Sequence, residues 1–432
     1  MPTVVVCSGK DCRKRPEFGT LCERLDTVAT IRPVGCLGLC GSPAIVLDPF
    51  SEQPTVLDKV RKPKQHRDVV AAIADGADLT DRLRARRLTG KKHDCGQNVS
   101  AWVRTVEAVR PTHAERGHLM FHPSDFPEPT MVPVNGIELE VFEAGAEHAG
   151  RPIVLLHGWP EHAYSWRHQI PALVEAGYHV IVPNQRGYGN SSVPTEVEAY
   201  DIEHLAGDLV GLLDHYGYDD ATFIGHDWGA MVVWWMTLLH PQRVKQIVAL
   251  SMAYMDRGEQ PWVEAMEQML GSDFYFVDFN RRPGVADAVL DDNPSRFLGN
   301  LFRQNVPLAP PEPGNAMVNL ATSDTAPGDP IMSDDELDVF VRAFETSGFG
   351  GGINWYRNVD RNWHLLADAD PIIRQPALMI TGTRDMVAGN PRLAEFVPNV
   401  TEAALDCGHW IMDEQPDATN RLILTWLTST NA

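Results

Sequence analysis

From about residue 130 onward, short apolar runs alternate with longer stretches in which apolar residues recur at helical spacing. RPIVLLHG, YHVIVPN, ATFIGHD, VKQIVALS, PALMITG and TEAALDCGH are the runs. Their apolar residues are nearly continuous and turn residues bound them, which predicts strands of a largely parallel sheet covered on both faces. Between them lie amphipathic segments such as DIEHLAGDLVGLLDHYG (201–217), which predict crossover helices. One interval breaks the alternation. Well over a hundred residues, helical in places and rich in proline, separate VALSM (248–252) from PALMITG (376–382). So long an interruption predicts a helical cap inserted into the sheet domain. The expected division is a core over 131–252 and 366–432, a cap over 253–365, a linker over 96–130 and a small amino-terminal α/β domain over 1–95. No internal repeat is visible.

At 432 residues, two folding units are the natural expectation, and 44% hydrophobic and 22% charged residues are ordinary for a globular protein. The net charge of −21 is unevenly spread. Residues 1–110 hold 19 Lys and Arg against 13 Asp and Glu, which leaves 18 against 45 for the remainder. So acidic a body excludes nucleic acid as its partner. The basic run RLRARRLTGKK (82–92) reads as a solvated helix face or linker. The opening MPTVVVCSGKDCRKR lacks the order of charge and apolar run of a signal peptide, and MVVWWMTLL (231–239) is too short to span a bilayer. A cytoplasmic protein with no membrane partner is the expectation.

In an open parallel sheet, reactive groups gather where the strands end and helix N-termini point inward. His157 and Trp159 follow RPIVLL, Asp227 follows ATFIG, Asp385 follows PALMITG through a short turn, and His409 follows TEAAL. A lone loop aspartate is most often a cap or turn residue. Several candidates in the order nucleophile, acid, histidine at successive strand ends are a far more specific signal. GHDWGA (225–230) has the outline of a nucleophile elbow, G-x-S-x-G, with Asp227 where a serine would stand. A carboxylate there can displace at an sp³ carbon and form an alkyl ester. His409 would then take a proton from the water that hydrolyses the ester, and Asp385 would orient and stabilise the imidazole. The main-chain N–H groups of Trp159 and Trp228 are the expected oxyanion hole, each donor contributing roughly 3–4 kcal/mol. Asp256, shortly after VKQIVALS, is a rival for the triad acid.

HGWP (157–160), RGYGNSS (186–192), GHDWGA, NWYRN (354–358) and DCGHW (406–410) together make residues 130–432 resemble an epoxide hydrolase of the α/β-hydrolase fold. The resemblance implies conversion of a small apolar epoxide and water to a vicinal diol, with no cofactor for that reaction. It also implies two cap tyrosines that grip the epoxide oxygen. Tyr356 matches one closely, and Tyr275 is the best match to the other, although its interval to Pro283–Gly284 is one residue longer than the family's. A phenol can protonate the alkoxide that would otherwise leave poorly, whereas the plain alternative for either tyrosine is core packing. The resemblance further implies a cis Trp159–Pro160 bond. Asn184 departs from the family, which has an aspartate two residues before the Arg of RGYG.

The amino-terminal part carries six of the seven cysteines. Cys7 and Cys12 are spaced C-x4-C, and Cys36 and Cys40 are spaced C-x3-C in CLGLCGSPAIVL. Thiolates in glycine-bearing loops after strands suit an iron–sulfur cluster ligated by four cysteines, with zinc and free structural thiols as alternatives. The segment resembles the thioredoxin-like 2Fe–2S ferredoxins, which implies Cys7, Cys12, Cys36 and Cys40 as ligands and a redox partner protein. Cys22 is a rival for the place of Cys12; Cys95 and Cys407 have no assigned partner. Two other functional classes stand beside epoxide hydrolysis. One is a haloalkane dehalogenase using the same Asp-His-Asp set. The other is an electron carrier or redox sensor whose hydrolase-like part only binds a ligand.

Overall fold

The computed structural model describes residues 126–430, apart from 149–150, 305, 307–313, 325–327, 386 and 388, together with the backbone of four amino-terminal strands. The chain divides into two units, Met1–Met120 and Phe121–Ala432. In the first, β1 (Thr3–Cys7), β2 (Thr30–Val34), β3 (Ile45–Leu47) and β4 (Thr55–Leu57) form a sheet in the order β2-β1-β3-β4. β1 runs parallel to β2, with Cys7 opposite Val34, and antiparallel to β3, with Val6 opposite Ile45. Cys12, Cys22, Cys36, Cys40, Cys95 and the basic run 82–92 lie outside the described residues.

The second unit is built on eight strands: β5 (Pro129–Val134), β6 (Ile137–Ala144), β7 (Pro152–Leu156), β8 (His179–Pro183), β9 (Ala221–His226), β10 (Val244–Leu250), β11 (Ala377–Gly382) and β12 (Val400–Leu405). Their order is β12-β11-β10-β9-β7-β8-β6-β5. The six apolar runs of the sequence are the six parallel members, and β5 and β6 add an antiparallel edge. That edge begins at Pro129, inside the stretch expected to be linker. Asn135 and Gly136, at φ 44° and 79°, turn β5 into β6, because a two-residue hairpin loop needs positive φ at both places. β8, β9 and most of β10 are buried along their length, as their unbroken apolar sequence requires.

From β7 the chain turns one way to β8 and the other way to β9, so a crevice opens at the carboxyl ends of these central strands. The helix Trp228–Leu239 leaves β9 through that crevice. It is buried from Trp228 through Thr237, which explains its apolar sequence without any membrane. Among the described residues no helix is long and apolar enough to cross a bilayer.

Between β10 and β11 the described residues form eight helices, from Trp262–Leu270 to Val359–Leu365. Helix Asp334–Ser347 starts with a capping box in which Ser333 and Glu336 satisfy each other's main-chain N–H. Glu336 also ties this insertion to the sheet domain through Arg167, whose Nε donates at 2.8 Å. The same guanidinium meets Asp413 at 2.6 Å.

Candidate active site

The elbow is a feature of the backbone first. Asp227 has φ 50° and ψ −120°, a conformation costing a non-glycine residue of order 1–3 kcal/mol. The turn leaves no room for side chains beside it: a Cβ on Gly225 would collide with the backbone of Gly229, and one on Gly229 with Leu156 O. The strain lifts the Asp227 carboxylate out of the sheet at the end of β9. Its Oδ1 accepts the main-chain N–H of Trp159 at 3.0 Å. The Trp159–Pro160 peptide is cis. Trp228 opens the following helix, so its main-chain N–H is among the donors that helix leaves unshared.

His409 sits between two carboxylates. Its Nε2 is 3.6 Å from Asp227 Oδ2, and its Nδ1 is 3.0 and 3.1 Å from the two oxygens of Asp385. Asp385 accepts Val387 N at 2.9 Å, and the Ser251 hydroxyl donates to His409 O at 2.8 Å. Asp256 makes no hydrogen bond to His409, so the imidazole's acid partner in this geometry is Asp385. Burial alone would lower the His409 pKa, but the carboxylates of Asp227 and Asp385 on either side push it up to about 10. Burial would raise both carboxylates, and the imidazolium holds both down. The resting arrangement is therefore an ionised Asp227 beside a protonated His409.

Tyr275 opens helix Tyr275–Arg281, and Tyr356 lies on helix Gly350–Arg357. Their rings meet edge-on at a centroid distance of 5.8 Å. Burial raises both phenols, and the Asp227 charge adds to it, so both keep their protons. Rings of Trp159, Trp228, Phe276 and Phe279 pack edge-on around Tyr356 at centroid distances of 4.8–5.5 Å.

Asp227, His409, Tyr275, Tyr356 and Trp159 line one cavity of about 240 Å³, with Leu301, Val306, Met317, Val387 and Trp410 as its apolar wall. A carboxylate, a base and two proton-bearing phenols around an apolar space are suited to opening a strained C–O bond by displacement.

Other expected residues fall elsewhere. His157 spends both ring nitrogens on main chain, Nδ1 with Gly158 O at 2.9 Å and Nε2 with Gln185 N at 3.0 Å. Burial lowers it to about 4, so it is a neutral clamp on the loop that carries Trp159. Asn184 answers a local need. Its Oδ1 accepts Ala163 N at 2.7 Å while its amide donates to Glu140 Oε2 at 2.6 Å. An aspartate there would face the Glu140 carboxylate, and Arg186 pairs with Asp208 instead. Cys407 is a buried free thiol, pushed up to about 12 by burial first. Among the described residues no group of three or more His, Cys, Asp or Glu side chains is disposed to hold a metal.

The sequence reading missed the layer under the triad. Glu161 Oε2 accepts Gly158 N at 2.6 Å and meets His226 Nδ1 at 2.8 Å. His226 Nε2 lies 2.9 Å from His409 O. The available signal was a charged residue directly after HGWP, in a stretch that is otherwise buried.

Residues 151–416 match the family model described as the alpha/beta hydrolase fold. Among curated relatives, the chain is 44% identical over 318 residues to epoxide hydrolase A of Mycobacterium tuberculosis, covering 70% of this chain and 98% of that one. It is 33% identical to bifunctional epoxide hydrolase 2 of Mus musculus, over 81% of this chain and 64% of the relative's length. Among solved structures, epoxide hydrolase A from Mycobacterium thermoresistibile matches with a TM-score of 0.64 and 42% identity, over 70% of this chain and 98% of that one. An epoxide hydrolase from an endophytic Streptomyces matches with a TM-score of 0.63 and 31% identity, over 71% and 97%.

Proposed function

Because the chain belongs to the epoxide hydrolases of the α/β-hydrolase family, enzymes acting on epoxides, we propose that it converts an epoxide and water to a vicinal diol through an ester on Asp227. The carrying observation is the division of labour between the two Asp227 oxygens. Oδ1 is held by Trp159 N, which leaves Oδ2, beside His409, as the attacking atom.

Oδ2 forms a bond to one ring carbon as that carbon's bond to the ring oxygen breaks. Tyr275 or Tyr356 donates a proton to the departing oxygen. Esterification removes the charge of Asp227, and with it one of the two influences that keep His409 protonated. The imidazole then gives its proton to the tyrosinate, which restores the phenol, and becomes the base that the second step needs. Water gives a proton to His409 Nε2 and adds to the Asp227 Cγ. Oδ1 carries the negative charge toward the N–H groups of Trp159 and Trp228. The Cγ–Oδ2 bond breaks, the diol leaves with Oδ2 and a proton from His409, and the new carboxyl group's proton passes to His409, which restores the ionised Asp227 and the imidazolium. A haloalkane dehalogenase would need the carboxylate but no phenolic acid. In Tyr356→Phe, diol formation from styrene oxide should therefore fall steeply. Turnover unaffected by that change, with halide released from a haloalkane, would overturn the reading.

For the amino-terminal unit we propose a 2Fe–2S cluster held by Cys7, Cys12, Cys36 and Cys40. The donor set of four thiols fits, and the sheet topology supports it. Cys7 ends β1 beside the end of β2 and the start of β3, and the segment joining β2 to β3 carries Cys36 and Cys40. When bound, the cluster would supply one-electron chemistry or a structural staple, and a redox partner protein would dock there. Iron and sulfide in the anaerobically purified full chain, with a reducible visible spectrum, are the expected result. Protein free of both would overturn this assignment.

A further inference from the structure

Tyr275 and Tyr356 must meet at one small oxygen atom, yet they stand on different helices. The Tyr356 helix is tied to the sheet domain. Trp355 Nε1 donates to Arg186 O at 3.2 Å, and Asn358, just past the helix, donates to Val197 O. A Cβ on Gly351 would collide with the backbone of Gly187, so the two chains lie in close contact there. The Tyr275 helix starts with less support. Phe274 is its N-cap and gives it no side-chain hydrogen bond, and Tyr275 itself is the first residue.

One amide joins the two helices beside the phenols. Asn280, half-buried on the Tyr275 helix, donates from Nδ2 to Phe276 O at 2.8 Å and to Tyr356 O at 3.0 Å. Phe276 directly follows Tyr275, so a single NH2 group spends both hydrogens on main chain at or next to the two tyrosines. Only the nitrogen end of the amide can meet two carbonyl oxygens, which fixes its orientation. Arg357, the neighbour of Tyr356, secures the far half of the same helix. Its Nε donates to Phe279 O at 3.1 Å, and its other nitrogens reach Asp287, beyond the Pro283–Gly284 turn, at 2.9 and 2.6 Å. Asparagine is a poor residue for a helix, and among the rings of Phe276, Phe279 and Tyr356 an aliphatic side chain would serve packing better.

Resting on the epoxide hydrolase reading, we propose that Asn280 is a positioning residue for ring opening. Its amide holds Tyr275 in register with the anchored Tyr356, so that both hydroxyls converge on the epoxide oxygen. Asn280 is not part of the cavity wall and acts through the tyrosines. The need for it is geometric, because a donor misplaced by about 1 Å can cost on the order of 10²-fold in rate.

The test reads ring opening alone, in the full chain carrying His409→Gln, as the rate at which styrene oxide adds its mass to the Asp227 peptide. Asn280→Ala removes the amide, and Asn280→Asp keeps its shape while replacing its donors with oxygens. Each should slow adduct formation roughly tenfold or more. With Tyr275→Phe also present, the same changes should cost less than about threefold, because the hydroxyl they misplace is already gone. A residue that only supports the fold would cost the same factor with or without that hydroxyl. An unchanged adduct rate, equal losses in the two backgrounds, or failure of both Asn280 variants to fold would overturn the assignment. No adduct on Asp227 while Asn280 is intact would instead remove the epoxide hydrolase reading beneath it.

Discussion

The two walls of the cavity are held by different means. On the sheet side, main-chain geometry places the ionised groups: Asp227 by a strained turn after β9, Asp385 by a turn after β11, and His409 after β12 by the bond from Ser251 to its carbonyl. On the cap side, side-chain packing places the neutral acids. Tyr275 and Tyr356 stand on separate helices and meet through aromatic contacts. Fixed charge requires a backbone that does not relax when the charge changes, whereas a proton donor can ride on a cap that admits substrate.

The comparison breaks most sharply at Asp227. Asp227→Ala should reduce turnover roughly 10⁴-fold or more in steady-state diol formation. It should also lower the His409 midpoint from about 10 toward the ordinary imidazole value, because one of two anions is gone while burial still favours the neutral ring. Imidazole NMR titration reads this, and an unmoved midpoint would deny the coupling. On the cap side, Tyr356→Phe and Tyr275→Phe should each cost about 10²-fold or more in epoxide turnover, with little change in Tm. Equal loss of stability and activity would instead mark them as packing residues.

Arg167→Met tests the tie between the walls. It strands the buried carboxylate of Asp413 and frees Glu336 on the cap, so unfolding stability should fall by about 3 kcal/mol in denaturant titration. Smallest is Asn184→Asp, which sets two carboxylates together by removing the donor to Glu140. A loss of about 1–2 kcal/mol at neutral pH, partly regained on acidification, is expected.

The sheet side was legible because its information is local. Six apolar runs announced six parallel strands, and GHDWGA carries its turn within six residues. The antiparallel edge was signalled only by Asn135–Gly136, in strands too exposed to read as core. The layer beneath the triad was not legible, because its partners are distant in sequence. Glu161 and His226 stand 65 residues apart, and His226 and His409 stand 183 apart. Tyr275 was harder than Tyr356 for a related reason. Its position is set by the start of its helix and its contact with Tyr356, not by its interval to Pro283.

Position 227 carries the central claim, and His409→Gln tests it most directly by removing the base that completes the reaction. Incubated with styrene oxide, this variant should gain the mass of one substrate molecule on the peptide containing Asp227. Wild-type enzyme in excess, given one turnover in ¹⁸O-water, should carry the label in that same side chain before any appears in diol. Label entering the diol at once, with no adduct on the stalled variant, would contradict the account.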